Sequence, residues 1–170
     1  MYSDANNDFM LAAWLPPRVV GARRWAQELY INYLQNLSVF RCPSLHSEKF
    51  LASSDDLATF PDYGMNYHKE LDADPVKTVR IKRASQMINL TDARMTSSTG
   101  GLNPENCGFW RVYACGSLHT NFGYPDPRHA ERVNVLWLDG HVTTEKSSAS
   151  NPYSGYPFNA LKYVHPGSQQ

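Results

Sequence analysis

The side chains best suited to chemistry lie near the end of the chain, at His129, Asp139 and His141. Imidazole and carboxylate groups are ligands for zinc-like ions, so these three could converge on one metal. A structural explanation competes with this one, because Asp139-Gly140 is a dipeptide that tight hairpin turns favour. A histidine before a strand can also hydrogen-bond to the hairpin backbone. The pattern shows no fourth ligand, so we favour the structural role and predict no metal and no other cofactor.

A nucleophilic enzyme would need Cys42 or a serine next to a general base. The candidate bases are His46, His68, His119 and His129. The sequence has no Gly-x-Ser-x-Gly, no His-Glu-x-x-His and no glycine-rich phosphate loop between a strand and a helix. No motif in the sequence therefore places a nucleophile next to a general base. We predict that the chain is not an enzyme, with a metal-dependent hydrolase as the alternative.

The three cysteines, Cys42, Cys107 and Cys115, form neither a C-x-x-C nor a metal-binding tetrad. Seven residues separate Cys107 from Cys115, a distance that a short loop or hairpin could close into a disulfide. That pairing would leave Cys42 unpaired. The alternative is that these thiols are buried as small hydrophobic side chains.

Aromatic residues in the C-terminal stretch offer a possible binding surface. They lie among glycine, asparagine and proline, at Tyr153, Tyr156, Phe158 and Tyr163. Exposed rings of this kind stack on sugars or on a partner's surface. Equally, they could hold a long C-terminal loop against the sheet. An extracytoplasmic glycan-binding or ligand-binding module is therefore one functional class that the sequence leaves open.

Charge and length exclude several other classes. Acidic and basic residues balance at 16 each, so no net field attracts phosphates or an anionic membrane, and we expect no nucleic-acid partner. A chain of 170 residues has the size of one domain, which we predict to span residues 1–170. No stretch reaches the roughly 18 apolar residues of a membrane span, so the chain as given is predicted to be soluble.

Two kinds of periodicity define the elements that must position these groups. Apolar residues recur at steps of three and four from Gly21 to Gln35 and predict an amphipathic helix. Its inward face would carry Ala22, Trp25, Ala26, Leu29 and Tyr33. Residues 63–67 predict an edge strand, and Met87 to Thr91 predicts a central strand closed by a turn at Asp92.

The strongest local signal is Asp139-Gly140 between two β-rich runs, which predicts a hairpin with a two-residue type I′ turn. In that register Leu138 faces His141 and Trp137 faces Val142. The core face would then carry Val133, Val135, Trp137 and Val142. We predict an α+β fold whose helix packs through Trp25 and Leu29 on an antiparallel sheet, with strands near 87–91, 133–138 and 141–145.

The sequence also resembles a known family. Arg128-His129 is followed by nine residues and then Asp139-Gly140, which resembles the His-x9-Asp-Gly signature of prepilin-type, processing-associated domains in pilin-like bacterial proteins. Five further segments resemble that family in order: Tyr2 to Asp8, Trp25 to Leu34, Val39 to Ser44 with Phe-x-Cys-Pro-Ser, Tyr63 to Asn66 with Tyr-Gly-x-Asn, and Ile81 to Asp92. Ala84 stands where the family usually has proline.

This resemblance implies a type IV pilin or type II secretion pseudopilin architecture. In that architecture a long N-terminal helix anchors in the inner membrane, and an antiparallel sheet packs on its second half. The chain would be the soluble head without that helix, located in the periplasm or at the cell surface. The implied function is structural assembly of a pilus-like or pseudopilus-like filament. Its implied partners are other pilin-like subunits and the secretion or pilus machinery, and His129, Asp139 and Gly140 would have a structural role.

Overall fold

The computed structural model describes Leu11, residues 14–15, 23–45, 51–66, 84–96, 107–112 and 123–146. The elements in chain order are β1 (Trp14–Leu15), β2 (Arg23–Arg24), α1 (Trp25–Leu29), α2 (Ser54–Leu57), β3 (Tyr63–Asn66), β4 (Ile88–Met95), β5 (Arg111–Val112), β6 (Gly123–Pro125), β7 (Arg132–Trp137) and β8 (Val142–Lys146). The fold combines helix and sheet, with few and short helices. No helix among the described residues is long and apolar enough to span a membrane.

Within the described ranges, six strands form one sheet in the order β3-β5-β6-β4-β7-β8. Strand β3 also pairs with β4, which closes the first four strands of that order into a small barrel. The β3–β5 and β5–β6 pairings are parallel, and the other pairings are antiparallel. The predicted antiparallel sheet is therefore correct for β4, β7 and β8 and wrong around β5.

Barrel closure corrects the prediction that residues 63–67 form an edge strand. Strand β3 lies between β4 and β5, so both of its edges are paired. Gly64 permits this close approach, because a Cβ there would lie 2.6 Å from Val112 Cγ1 and 2.9 Å from Ala93 Cβ. A larger residue would push the strands apart.

Helix α1 begins at Trp25, four residues later than predicted. Arg23 and Arg24 instead pair with β1 as a short strand. The backbone at Arg24 is extended, and its N–H donates to the Gln27 side chain at 3.2 Å. The helix therefore starts where strand pairing stops.

Beyond Leu29 the helix widens into a π-helical turn, Tyr30–Leu34. The N–H of Gln35 donates to the carbonyl of Tyr30 at 2.9 Å, and Gln35 ends the turn in the left-handed region with φ 50°. A wider turn rotates the following side chains around the axis. Tyr33 is consequently 44% exposed, and the prediction that it faces inward is wrong.

The buried apolar side chains form two clusters. The first contains Trp25, Ala26, Phe40, Leu51, Leu57, Met65, Phe109 and Trp110. The second contains Ile88, Val133, Val135 and Trp137. Trp25 is buried as predicted, its indole N–H donates to the carbonyl of Trp110 at 2.6 Å, and Leu29 packs against the same cluster. Helix α1 thus packs on the sheet as predicted, at the cluster that includes Met65 of β3 and Leu90 of β4, and not at the second cluster.

The hairpin has a three-residue loop, not the predicted two-residue turn. The N–H of Trp137 donates to the carbonyl of His141 at 2.9 Å, and the N–H of Gly140 donates to the carbonyl of Trp137 at 3.0 Å. Gly140 adopts a φ of +91°, which suits glycine because it has no Cβ. The loop therefore consists of Leu138, Asp139 and Gly140.

The longer loop shifts the register by one residue. Leu136 pairs with Val142 and Val135 with Thr143, so the predicted pairs are wrong. Because strand side chains alternate between faces, a one-residue shift moves the whole of β8 to the opposite face. Val142 is 65% exposed instead of buried, whereas Val135 and Trp137 on β7 are buried as predicted.

Candidate functional site

Asp92 lies inside β4, not at the turn that we predicted to end the strand. Strand β4 pairs with β7 before this residue, from Ile88 to Thr91, and with β6 after it, from Ala93 to Met95. The main-chain carbonyl of Asp92 accepts from the N–H of Asp126 at 3.0 Å, and its Oδ2 accepts from the N–H of Asn134 at 2.7 Å. Asp92 therefore holds both ends of the segment that connects β6 to β7.

That segment turns at Ala130 and Glu131. His129 and Arg132 exchange two backbone hydrogen bonds, of 3.1 and 3.0 Å, around these two residues. Ala130 and Glu131 have φ values of 51° and 62°, the left-handed conformation that a type I′ turn requires at both central positions. A turn of the type predicted at Asp139-Gly140 thus occurs nine residues earlier, without a glycine or asparagine.

This turn places His129 beside two residues from distant parts of the chain. Its Nε2 lies 3.5 Å from Cys42 Sγ and 3.4 Å from Asp92 Oδ2. Asp92 is fully buried, Cys42 is 3% exposed, and the His129 side chain is 26% exposed. The three atoms all lie within 4.8 Å of one another, and no other such group of potential ligands occurs among the described residues.

A second buried carboxylate fixes Cys42. The N–H of Cys42 donates to Asp62 Oδ2 at 2.7 Å, and Arg41 Nε lies 3.3 Å from the same oxygen. Burial raises the pKa of Asp62, against the opposing effects of the Cys42 N–H and Arg41. Burial likewise raises the pKa of Asp92, which the Asn134 N–H opposes.

Arg128 brings positive charge to the same region. Its side chain is only 3% exposed, its Nε lies 2.9 Å from Asp126 Oδ2, and it also donates to the carbonyl of Ala93. Its charge favours the ionised forms of Asp62 and Asp92. The arginine thus compensates the buried carboxylates and ties the β6–β7 connection to β4.

The arrangement does not match a nucleophilic triad. In a triad the acid contacts one imidazole nitrogen and the nucleophile contacts the other. Here Cys42 Sγ and Asp92 Oδ2 both approach Nε2 of His129. Asp92 therefore does not hold the other ring nitrogen of His129, as the acid of a triad does while the imidazole takes the proton of the nucleophile. Buried groups in this arrangement can stabilise the fold, and their thiol, carboxylate and imidazole are also ligand types for a cation.

The three residues that the sequence offered as metal ligands are divided between two places. His129 belongs to the buried group, whereas Asp139 hydrogen-bonds to His141 in the exposed hairpin loop. The imidazole of His141 stacks on Trp137, with ring centroids 5.6 Å apart. Sequence reasoning had weighed Cys42 beside His129 only as a possible nucleophile and base, and it missed Asp92 as a partner of His129. The available signal was that each belongs to a segment carrying the family resemblance.

The remaining predicted site residues stay untested. Cys107 is buried, with Sγ 4.0 Å from Met95 Sδ, but Cys115 lies outside the described residues. The Cys107–Cys115 disulfide therefore remains a prediction. The proposed ligand contacts also lie outside the described residues, at Tyr153, Tyr156, Phe158 and Tyr163.

Comparisons of the chain with protein-family models, with curated proteins and with solved structures found no match. The family resemblance therefore rests on the segments quoted above. Inference about function rests on those segments and on the geometry around His129.

Proposed function

We propose that this chain is the head domain of a structural subunit of a type IV pilus-like or type II secretion-like pseudopilus. It acts through contacts with other pilin-like subunits and with the secretion or pilus machinery. In this proposal the His-x9-Asp-Gly element stabilises the fold of the head and has no catalytic role. A pilin-like architecture and a periplasmic or cell-surface location belong to the same proposal.

The observation that carries the proposal is the meeting of separate motif segments around His129. Cys42 comes from the Phe-x-Cys-Pro-Ser segment, and Asp92 ends the segment that begins at Ile81. Both contact His129 of the signature. Segments that share one buried contact region are constrained together by folding, whatever the protein binds. This favours a structural role for the signature.

The polar groups of this region mainly bind main-chain atoms. Asp62 accepts from the N–H of Cys42, and Asp92 accepts from the N–H of Asn134. Asn66, from the Tyr-Gly-x-Asn segment, donates to the carbonyl of Ile88 at 3.1 Å. Side chains that satisfy buried backbone groups fix the path of the chain. They are typical of a scaffold.

An assembly subunit also needs apolar surface for its partners. Exposed apolar side chains occur close together in the sequence after α1, at Ile31, Leu34 and Val39, which are 37%, 47% and 47% exposed. Exposed apolar groups that lie together mark protein contact sites more often than isolated ones do. We assign the subunit contacts to this segment.

Photo-crosslinking in cells that naturally produce the protein tests this assignment. A photoreactive amino acid at position 34 should yield crosslinked products that contain either a second copy of the chain or another pilin-like subunit. Val142 supplies the matched control, because it is an equally apolar residue with 65% exposure on the far strand of the sheet. The same probe at position 142 should yield no such products.

Two outcomes would contradict the proposal. One is the absence of any crosslinked product from position 34 in cells that contain the intact protein. The other is products that contain only proteins unrelated to pilins. Mass spectrometry of the crosslinked bands distinguishes these results.

A further inference from the structure

We propose that Cys42, Asp92 and His129 together bind one transition-metal ion, with zinc as the best chemical match. This goes beyond the assembly role and does not depend on it. The ligand atoms are Cys42 Sγ, Asp92 Oδ2 and His129 Nε2, which all lie within 4.8 Å of one another.

The spacing fits tetrahedral coordination. Zinc binds sulfur at about 2.3 Å, imidazole nitrogen at about 2.0–2.1 Å and carboxylate oxygen at about 2.0–2.2 Å. Tetrahedral angles then place sulfur and nitrogen about 3.5 Å apart, and nitrogen and oxygen about 3.3 Å apart. The observed separations are 3.5 Å for Cys42 Sγ to His129 Nε2 and 3.4 Å for His129 Nε2 to Asp92 Oδ2. Two of the three separations thus match tetrahedral coordination, and the third, from Cys42 Sγ to Asp92 Oδ2, lies within 4.8 Å.

Hydrogen bonding alone satisfies these atoms poorly. Nε2 of His129 carries at most one proton, yet Cys42 Sγ and Asp92 Oδ2 both approach it. In addition, Asp92 Oδ1 is buried and has no hydrogen-bond partner within the part of the chain that the structure describes. A buried carboxylate that lacks a partner on one oxygen is costly, and a cation bound to its other oxygen, Oδ2, would compensate the charge of the group. A metal would accept a lone pair from all three ligand residues at once.

Hydrogen bonds from main-chain N–H groups fix the positions of Asp92 and Cys42, as the hydrogen bonds around the ligands of metal sites do. The main-chain N–H of Asn134 donates to Asp92, and the main-chain N–H of Cys42 donates to Asp62. Such contacts orient ligands and tune their affinity. A sulfur, nitrogen and oxygen donor set suits zinc and cobalt better than magnesium or calcium, which prefer oxygen alone.

No fourth histidine, cysteine, aspartate or glutamate of the described residues joins this group. Three protein ligands leave one tetrahedral position for water, and the partly exposed His129 side chain gives solvent a route to it. Binding also requires Cys42 as the thiolate, so uptake of the metal should release a proton and weaken as pH falls.

Metal binding to the purified full chain tests the proposal. Cys107→Ala and Cys115→Ala are introduced first, so that Cys42 is the only thiol. Cobalt(II) should then bind with a stoichiometry of one and show a thiolate-to-cobalt charge-transfer band together with the intense visible bands of four-coordinate cobalt. Zinc should displace it and raise the thermal unfolding midpoint, because a ligand that binds only the folded state stabilises it.

Substitution of each proposed ligand shows which side chains bind the metal. Cys42→Ser should abolish the charge-transfer band, and Asp92→Asn and His129→Asn should weaken zinc binding by more than the roughly 10–100-fold that loss of an outer partner costs. His141→Asn is the matched control, because His141 is an exposed histidine that also contacts an aspartate. It should leave metal binding unchanged.

If a ligand variant fails to fold, the cobalt spectrum of the parent protein decides the question, since only Cys42 can produce the band. Absence of the band, or zinc binding that is lost with His141→Asn and kept with His129→Asn, overturns the proposal. Neither result bears on the crosslinks from position 34, so failure of the metal site and failure of the assembly role can be told apart.

Discussion

Two histidine–aspartate pairs lie on either side of strand β7, and they differ in almost every physical respect. His129 and Asp92 are 37 positions apart in the sequence, and the carboxylate is fully buried. His141 and Asp139 are two positions apart, and both side chains are largely open to solvent, at 44% and 36% exposure. The first pair joins separate elements, whereas the second lies within one loop.

The difference shows why proximity in a motif is a poor guide to role. His129 and Asp139 belong to the same His-x9-Asp-Gly signature, but each has its partner elsewhere. Exposed ion pairs contribute little to stability because water screens them, whereas removing one member of a buried pair leaves an uncompensated charge. The buried pair should therefore dominate both stability and metal binding.

The largest effect is expected for Trp137, which links the buried cluster of β4 and β7 to the exposed pair. Its side chain is buried with Ile88, Val133 and Val135, while its ring stacks on His141 of the exposed pair. Trp137→Ala should lower the free energy of unfolding by about 3–5 kcal/mol, because it opens a cavity in this cluster. Chemical denaturation provides the measurement. A loss below about 1 kcal/mol would show that the cluster does not stabilise the domain.

Removal of each aspartate compares the two pairs directly. Asp92→Ala should cost about 3 kcal/mol of unfolding free energy, because it leaves the N–H of Asn134 without its buried acceptor and removes the carboxylate beside His129. Asp139→Ala should change the same quantity far less, since it removes only an exposed contact with His141. Denaturation in metal-free buffer measures both. Equal losses would refute the distinction between the buried and the exposed pair.

The smallest effect concerns the turns that present the two histidines. Replacement of Ala130-Glu131 by Asn-Gly should raise the free energy of unfolding by about 1 kcal/mol. Ala130 and Glu131 have positive φ values, and asparagine and glycine adopt such values at a lower energetic cost than alanine and glutamate do. Gly140→Ala should lower it by about 1 kcal/mol, since its φ is +91°. Thermal unfolding of the two variants beside the parent provides the measurement. A loss of stability in the Asn-Gly variant would mean that the Ala130 or Glu131 side chain makes a stabilising contact.

Patterns among residues close together in the sequence predicted part of this fold correctly. Alternation of apolar residues along β7 correctly identified Val133, Val135 and Trp137 as buried, because a strand places successive side chains on opposite faces. Helical spacing likewise identified Trp25 as buried. The sequence also marked His129 as a residue of interest. These features depend on neighbours within a few residues of one another.

Tertiary structure decided the rest, because it depends on contacts that no local pattern encodes. Only closure of the barrel moved β3 from the edge of the sheet to its interior, and only the extra loop residue, Leu138, turned Val142 towards solvent. The partners of His129 come from segments 87 and 37 positions away. How β4, β6 and β7 pair determines where these residues meet, which is why the sequence did not reveal Asp92 as a site residue and could not select His129 from the four candidate partners of Cys42.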